Sequence, residues 1–214
     1  IGEFKNFYKV FNGELETCSC GKLPLECAFW SKVISEFSIY LGSNNKNIAY
    51  YEKVREKVET VILKNKPFKS DWEEYQKLTK KLFEIIAKIS GKEFIIDSSK
   101  SPSRAYALSK VFNKKMTIIV LKRELQGVIK SFQKKDENLP VFKFLKSLMI
   151  IHLKFSYVAS ISKCNSFKFK YKDIFIKNKM DGLLFKVKME EPVFLTERIY
   201  NNHVIAGNRL RYQN

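Results

Sequence analysis

One stretch of the chain has few structural fates open to it. Thr117-Ile118-Ile119-Val120-Leu121 is an unbroken β-branched and aliphatic run, short and bounded by polar residues on both sides. Such a run reads as a strand over residues 115–121 that is buried on both faces. A helix is expected before it, with Pro102 in its first turn, and another after it over residues 124–134. Shorter apolar runs at 93–96 and 167–171 suggest two further strands. Strands of this kind alternating with helices predict an α/β domain, a parallel sheet covered by helices on both faces.

Upstream, the periodicity changes to that of helices. Apolar residues recur at helical spacing over 29–40, 48–63 and 72–89. Gly42 and the polar residues after it end the first. Ser70 and Glu73 form a capping box for the third, and Gly91 closes it. This block reads as a helical insertion that supplies bulk. A further helix is expected over 142–161. Its apolar stretch is interrupted by Lys146, His152 and Lys154, which makes it a core helix in expectation and leaves no run long enough to span a bilayer. A length of 214 residues, with no repeat or linker, fits one domain over residues 1–214.

The formal net charge of +18 favours an anionic partner: nucleic acid, an acidic surface or a phosphorylated small molecule. Of the 40 basic residues only Arg55, Arg104, Arg123, Arg198, Arg209 and Arg211 are arginines, and the lysines are scattered along every segment. Proteins that read nucleic acid concentrate cations on one element, and no such cluster is visible, so no specific nucleic-acid partner is expected. Cys18, Cys20 and Cys27 lie close together and Cys164 stands apart. Three clustered thiols can hold zinc, form one disulfide, or stay reduced and partly buried.

In open parallel sheets ligands bind beyond the carboxyl ends of the strands. Both expected strand ends are polar. After the first comes Asp97-Ser98-Ser99-Lys100-Ser101-Pro102-Ser103-Arg104, four hydroxyls and two cations opening a helix, where free N–H groups attract anions. The plainer reading is that Ser101 caps the helix and Lys100 is a solvated turn residue. After the second come Lys122 and Arg123, with Ser131 two helical turns along, so that a loop cation and a helix hydroxyl can grip one phosphate.

These blocks, with Gly2-Glu3, CSCG with Cys27 and Phe29-Trp30, LKRELQGVIKSF, Tyr171-Lys172-Asp173-Ile174 and HVIAGNRLR, resemble the PAPS-dependent sulfotransferases, above all the bacterial and tyrosylprotein branch. The resemblance spans almost the whole chain. It implies a P-loop-like α/β fold and transfer of a sulfuryl group from PAPS to an acceptor hydroxyl or amine, without a metal. Arg123 and Ser131 match the pair that holds the 3′-phosphate of the donor, and Asn208 and Arg211 the late loop that closes over the nucleotide. Lys100 matches the catalytic lysine, which neutralises charge on the departing bridging oxygen. Glu3 matches the general base.

His203 reads as structural and Asp173 as a helix cap. The family's 5′-phosphosulfate loop, R-S-G-(S/T)-T-L-L, has no counterpart in these residues and by family order precedes Gly2-Glu3, so the first strand and that loop are expected before Ile1. The acceptor implied is a small molecule, a glycan or a protein tyrosine, and the location cytoplasmic. Two other functions stay open: a basic module for nucleic acid or an anionic surface, and a nucleotide or small-molecule kinase, although G-x-x-x-x-G-K-(S/T) does not occur.

Overall fold

The structure is a computed structural model that describes residues 18, 20–42, 48–133 and 140–187. It mixes helices with a pair of parallel strands and divides into two compact units, the boundary falling after Ala107.

The first unit is built on three helices, α1 (Ala28–Leu41), α2 (Ile48–Val61) and α3 (Lys69–Ser90). Each buries one stripe at i, i+3 and i+4 spacing: Trp30, Val33, Ile34 and Phe37 on α1, Tyr51, Val54 and Val58 on α2, Tyr75, Leu78, Leu82, Ile85 and Ile86 on α3. Each large side chain so buried contributes roughly 1.5–3 kcal/mol. Phe37 meets Tyr51 edge to face at 5.8 Å, joining α1 to α2. The helical block expected from periodicity is therefore present. Its caps differ from expectation at one end. The N-cap of α3 is Phe68, with no side-chain capping bond, and Ser70 lies inside the helix, so the Ser70–Glu73 capping box does not form. Gly91 does end α3, in the left-handed conformation at φ 60°, its N–H donating to the Ala87 carbonyl.

Inside this unit sits a charge network. The Arg104 guanidinium, 1% exposed, donates from Nη1 to Glu59 Oε1 at 2.9 Å and from Nε to Asp97 Oδ2 at 2.7 Å. Glu59 also accepts from Arg55 Nη1 at 2.9 Å and from the buried Tyr75 hydroxyl at 3.2 Å. Arg55 in turn holds Glu52 through Nε at 3.0 Å. Arg104 thus fastens α4 (Pro102–Phe112) to α2, and Asp97 fastens the segment before α4 to Arg104.

Residues 93–96 do not form the expected strand; Asp97 alone stands in an isolated β-bridge, and Phe94 and Ile96 are exposed. A strand needs a neighbour's ladder of donors and acceptors along its length. Among the described residues this segment has one bridge.

The second unit carries β1 (Thr117–Lys122), α5 (Leu125–Gln133), α6 (Val141–Ile161), β2 (Asn165–Lys170), a 3₁₀ turn (Tyr171–Phe175) and α7 (Lys177–Lys186). β1 and β2 pair in parallel, in register from Thr117 with Asn165 to Lys122 with Lys170. The continuous run of β1 predicts cover on both faces, but burial alternates: Ile118 and Val120 are inside, while Ile119 and Leu121 stay 45% and 44% exposed. Among the described residues only one face of β1 is covered.

α6 also departs from expectation. Of its buried side chains only Val158 is fully enclosed, while Phe142, Met149, Leu153 and Tyr157 are exposed, so it is not a core helix. It is the one helix among the described residues long and apolar enough to cross a bilayer, by length and composition only, at a mean hydropathy of 1.3. Asp173 does not cap α7, whose N-cap is Ile176. It lies buried in the 3₁₀ turn and accepts from Lys179 Nζ at 2.7 Å.

Removing one partner of a buried ion pair strands the other, at roughly 3–5 kcal/mol. Glu59→Gln should therefore lower the unfolding free energy by about that much in urea titration, and unchanged stability would remove the network from its central place. A second expectation concerns acid. Burial alone would raise the Asp97 carboxyl, but the Arg104 guanidinium and the Ser99 N–H overcome it and hold the group below its ordinary value of 3.8. Its folded value lies below its unfolded one, so its stabilisation is complete above the unfolded value and is lost as pH falls through the folded one. The stability gap between the wild type and Asp97→Asn should accordingly be constant near neutrality and close toward the acid end.

Candidate functional site

The two polar segments singled out after the expected strands have different fates. In the first, Asp97 Oδ1 accepts from the Ser99 N–H at 2.9 Å, and Ser101 Oγ accepts from the Arg104 N–H at 3.3 Å. Ser101 therefore caps α4, with Pro102 as its first residue. The segment has two cations in sequence. The structure commits Arg104 to Glu59 and Asp97, because a buried guanidinium must be matched by carboxylates. Arg104 is thus a structural ion and offers no charge to a ligand. Lys100 remains exposed in the loop that Ser99 and Ser101 shape.

The second segment follows β1 directly. Arg123 and Glu124 form the turn between Lys122, the last residue of β1, and Leu125, the first of α5. Arg123 is exposed, and its guanidinium lies over the Tyr171 ring at 5.3 Å, a cation–π distance that holds the planar group against the turn after β2. Gly127 lies beside the same guanidinium. A Cβ there would meet Arg123 Nε at 3.4 Å, so the glycine leaves a bare strip of α5 along which the guanidinium rests. Ser131 is four residues beyond Gly127 and shares its face of α5. Loop cation, bare strip and helix position thus lie in one row.

Electrostatics distinguish Arg123 from the other described arginines. Arg55 and Arg104 each pair with two carboxylates. Among the described residues Arg123 makes no ion pair. Its neighbour Glu124 is taken up by Lys172 Nζ at 2.8 Å, a bond that lowers the Glu124 carboxyl below its usual range and raises Lys172 above its own. The nearest acid in sequence is thereby turned to another cation. A guanidinium held by a ring, without a carboxylate among the described residues and exposed beyond the carboxyl end of a parallel strand, can donate two parallel N–H bonds to an oxyanion such as phosphate.

A cleft of about 570 Å³ opens elsewhere in the second unit, lined by Val120, Ser166, Lys168, Phe169, Lys179 and Lys186 among others. Arg123 does not line it. Glu3, Asn208 and Arg211, like His203, lie outside the described residues, as do Gly2 and the late glycine loop. None of Cys18, Cys20, Cys27 and Cys164 is joined in a disulfide, so the disulfide reading of the cluster does not hold in this structure. Burial pushes the Cys18 thiol up to about 12. Cys20 is less buried, and hydrogen bonds from the Lys22 backbone and the neighbouring thiols outweigh its burial and bring it below the ordinary thiol value.

Sequence reasoning missed the role of Glu59, which lies in a plain helical heptad, and the role of Tyr171 as a platform. Glu59 gives a weak signal in retrospect: Glu52, Arg55 and Glu59 share one helical face at i, i+3 and i+7. Tyr171 gives none, because its meeting with Arg123 depends on the pairing of two distant strands.

No protein-family model, no curated protein and no solved structure matches this chain. Its reading rests on its own residues.

Loss of a serine N-cap costs about 1 kcal/mol. Ser101→Ala should lower stability by about that amount in chemical denaturation, with Ser101→Asp close to wild type. Equal stability of all three would show that the Ser101 bond to the Arg104 N–H is not a working cap.

Proposed function

We propose that the chain binds a 3′-phosphorylated adenosine nucleotide at the β1–α5 turn and serves as the larger part of a PAPS-dependent sulfotransferase. The observation that carries this reading is the row formed by Arg123, Gly127 and Ser131, with Arg123 without a carboxylate partner among the described residues. The same pair, at the same spacing, is what the sulfotransferase resemblance assigns to the 3′-phosphate. In this reading Arg123 supplies a bidentate guanidinium, the Ser131 position a hydroxyl and the first turn of α5 its N–H groups, all directed at one dianion.

The remaining roles follow the resemblance. Lys100 stabilises the negative charge that builds on the bridging oxygen as the sulfur–oxygen bond breaks, and Glu3 accepts the proton of the attacking hydroxyl. Asn208 and Arg211 close over the nucleotide. The acceptor is a hydroxyl or amine of a small molecule, a glycan or a protein tyrosine. The chain's charge of +18 raises the local concentration of an anionic donor whatever its identity.

A competing reading, a basic module for nucleic acid or an acidic surface, predicts binding that depends on total phosphate and salt but not on where the phosphate sits. Calorimetry with adenosine 3′,5′-bisphosphate against 5′-AMP separates the two. A lost charge-assisted contact costs about 1.5–3 kcal/mol. The bisphosphate should therefore bind at least roughly tenfold tighter, and Arg123→Ala should erase the difference. Equal affinity of the two nucleotides for the wild type would end the assignment of Arg123 and Ser131. Lys100→Ala should slow sulfuryl transfer while leaving bisphosphate affinity within about twofold, a split expected of a group that acts on the transition state. A parallel loss of binding would make Lys100 a nucleotide contact.

A further inference from the structure

The cysteine cluster takes no part in the nucleotide reading, and its geometry calls for an account of its own. Cys18, Cys20 and Cys27 are drawn together by the backbone of one short loop. The Gly21 N–H donates to the Cys18 carbonyl at 2.8 Å, the Cys18 N–H to the Lys22 carbonyl at 2.9 Å and the Cys27 N–H to the Leu23 carbonyl at 2.9 Å. Gly21 sits at φ 81°, a left-handed turn that a residue with a Cβ adopts only under strain. The result is three sulfur atoms within 4.8 Å of one another, two of them on fully buried residues.

The spacing is that of a coordination site. Four ligands at a zinc–sulfur distance of ~2.3 Å place neighbouring sulfurs ~3.8 Å apart in a tetrahedron. Cys18 Sγ and Cys27 Sγ are 3.7 Å apart. A disulfide would bring two sulfurs to ~2.05 Å and leave the third thiol over. Three sulfurs sharing one centre satisfy all of them at once. Cys27 is moreover the N-cap of α1, so its sulfur is positioned by the start of that helix.

We infer that Cys18, Cys20 and Cys27 supply three of the four ligands of a tetrahedral zinc ion, which anchors the loop before α1 to the first turn of that helix. Soft sulfur donors in tetrahedral array select zinc over hard cations such as magnesium or calcium. Each thiol gives up its proton to solvent as its sulfur binds the metal, and no electron is transferred. The three thiolates exceed the charge of the zinc ion by one, a surplus that a chain of net charge +18 accommodates. The structural consequence is local: Pro24 and Trp30 are buried around the same loop, so the metal fixes the end of the helix whose Trp30 opens the core of the first unit.

The test uses the full chain, purified under reducing conditions without added chelator, and metal analysis by mass spectrometry. About one zinc per chain is expected. Cobalt(II) titrated into metal-stripped wild type should give a thiolate-to-cobalt charge-transfer band in the near ultraviolet with tetrahedral visible bands. Cys18→Ser and Cys27→Ser should each abolish both the zinc and the band, while Cys164→Ser should keep them. Because a cysteine variant can fail to fold, the wild type decides alone if need be. A folded wild type that takes up neither metal overturns the inference. So does a mass two daltons short of the reduced chain mapped to this loop, and so does a cobalt band that survives in the Cys18 and Cys27 variants.

Discussion

The first unit depends on one buried cation. Arg104 lies at 1% exposure with a carboxylate on each of two sides, and a guanidinium so placed is tolerable only when both are ionised and well aimed. Once it is there, much else follows. Glu59 also accepts from Arg55 and from the Tyr75 hydroxyl. Burial beside Glu59 holds the Tyr75 hydroxyl well above its ordinary value, so it remains a donor throughout the neutral range. Burial likewise raises the Glu52 carboxyl, although Arg55 works against it. The apolar stripes of α1, α2 and α3 supply the bulk of the folding energy. The ions decide where α4 begins relative to α2, because apolar contact is non-directional and a bidentate guanidinium is not.

The same residue type does the opposite work in the second unit. Arg123 is exposed, lies on a ring and carries no carboxylate among the described residues. The difference between the two arginines is one of surroundings. Arg104 opens a helix whose preceding segment ends in Asp97 and whose neighbour α2 presents Glu59. Arg123 opens a helix whose first acid, Glu124, is diverted to Lys172. Both sit where a helix N-terminus draws negative charge. In one case the protein supplies that charge from within, and in the other no carboxylate among the described residues does so.

Periodicity made the helical block readable, since Trp30, Phe37, Tyr51, Tyr75 and Leu82 each stand at the spacing their helix buries. The β1 run was readable for the same reason, and so was the cap at Ser101. What failed were statements that depend on neighbours. The run at 93–96 is as apolar as a strand, yet a strand is made by its partners, and one bridge at Asp97 does not supply a ladder. Apolar content led α6 to be expected in a core, but only Val158 on it is fully buried, while Phe142, Met149, Leu153 and Tyr157 stay exposed. Composition states what a segment prefers, while packing decides whether that preference is met. The paired cations at Lys100 and Arg104 failed for a related reason. Spacing cannot tell a cation offered to a ligand from one spent on a carboxylate 45 residues away.

The two units consequently differ in how firmly they are held. The first buries an aromatic and aliphatic core reinforced by its ion network. The second rests on fewer enclosed side chains, among them Ile118, Val120, Leu183 and Leu184, with Ile119 and Leu121 of β1 left half in water. Regions with few buried apolar contacts open at lower free energy than the global transition, and binding sites are commonly drawn from them. The Arg123 row belongs to this second, less enclosed unit. An anion bound there stabilises the folded form by RT ln(1 + [L]/Kd), about 2.7 kcal/mol at a hundredfold excess over Kd. That is comparable with the burial of one large apolar side chain.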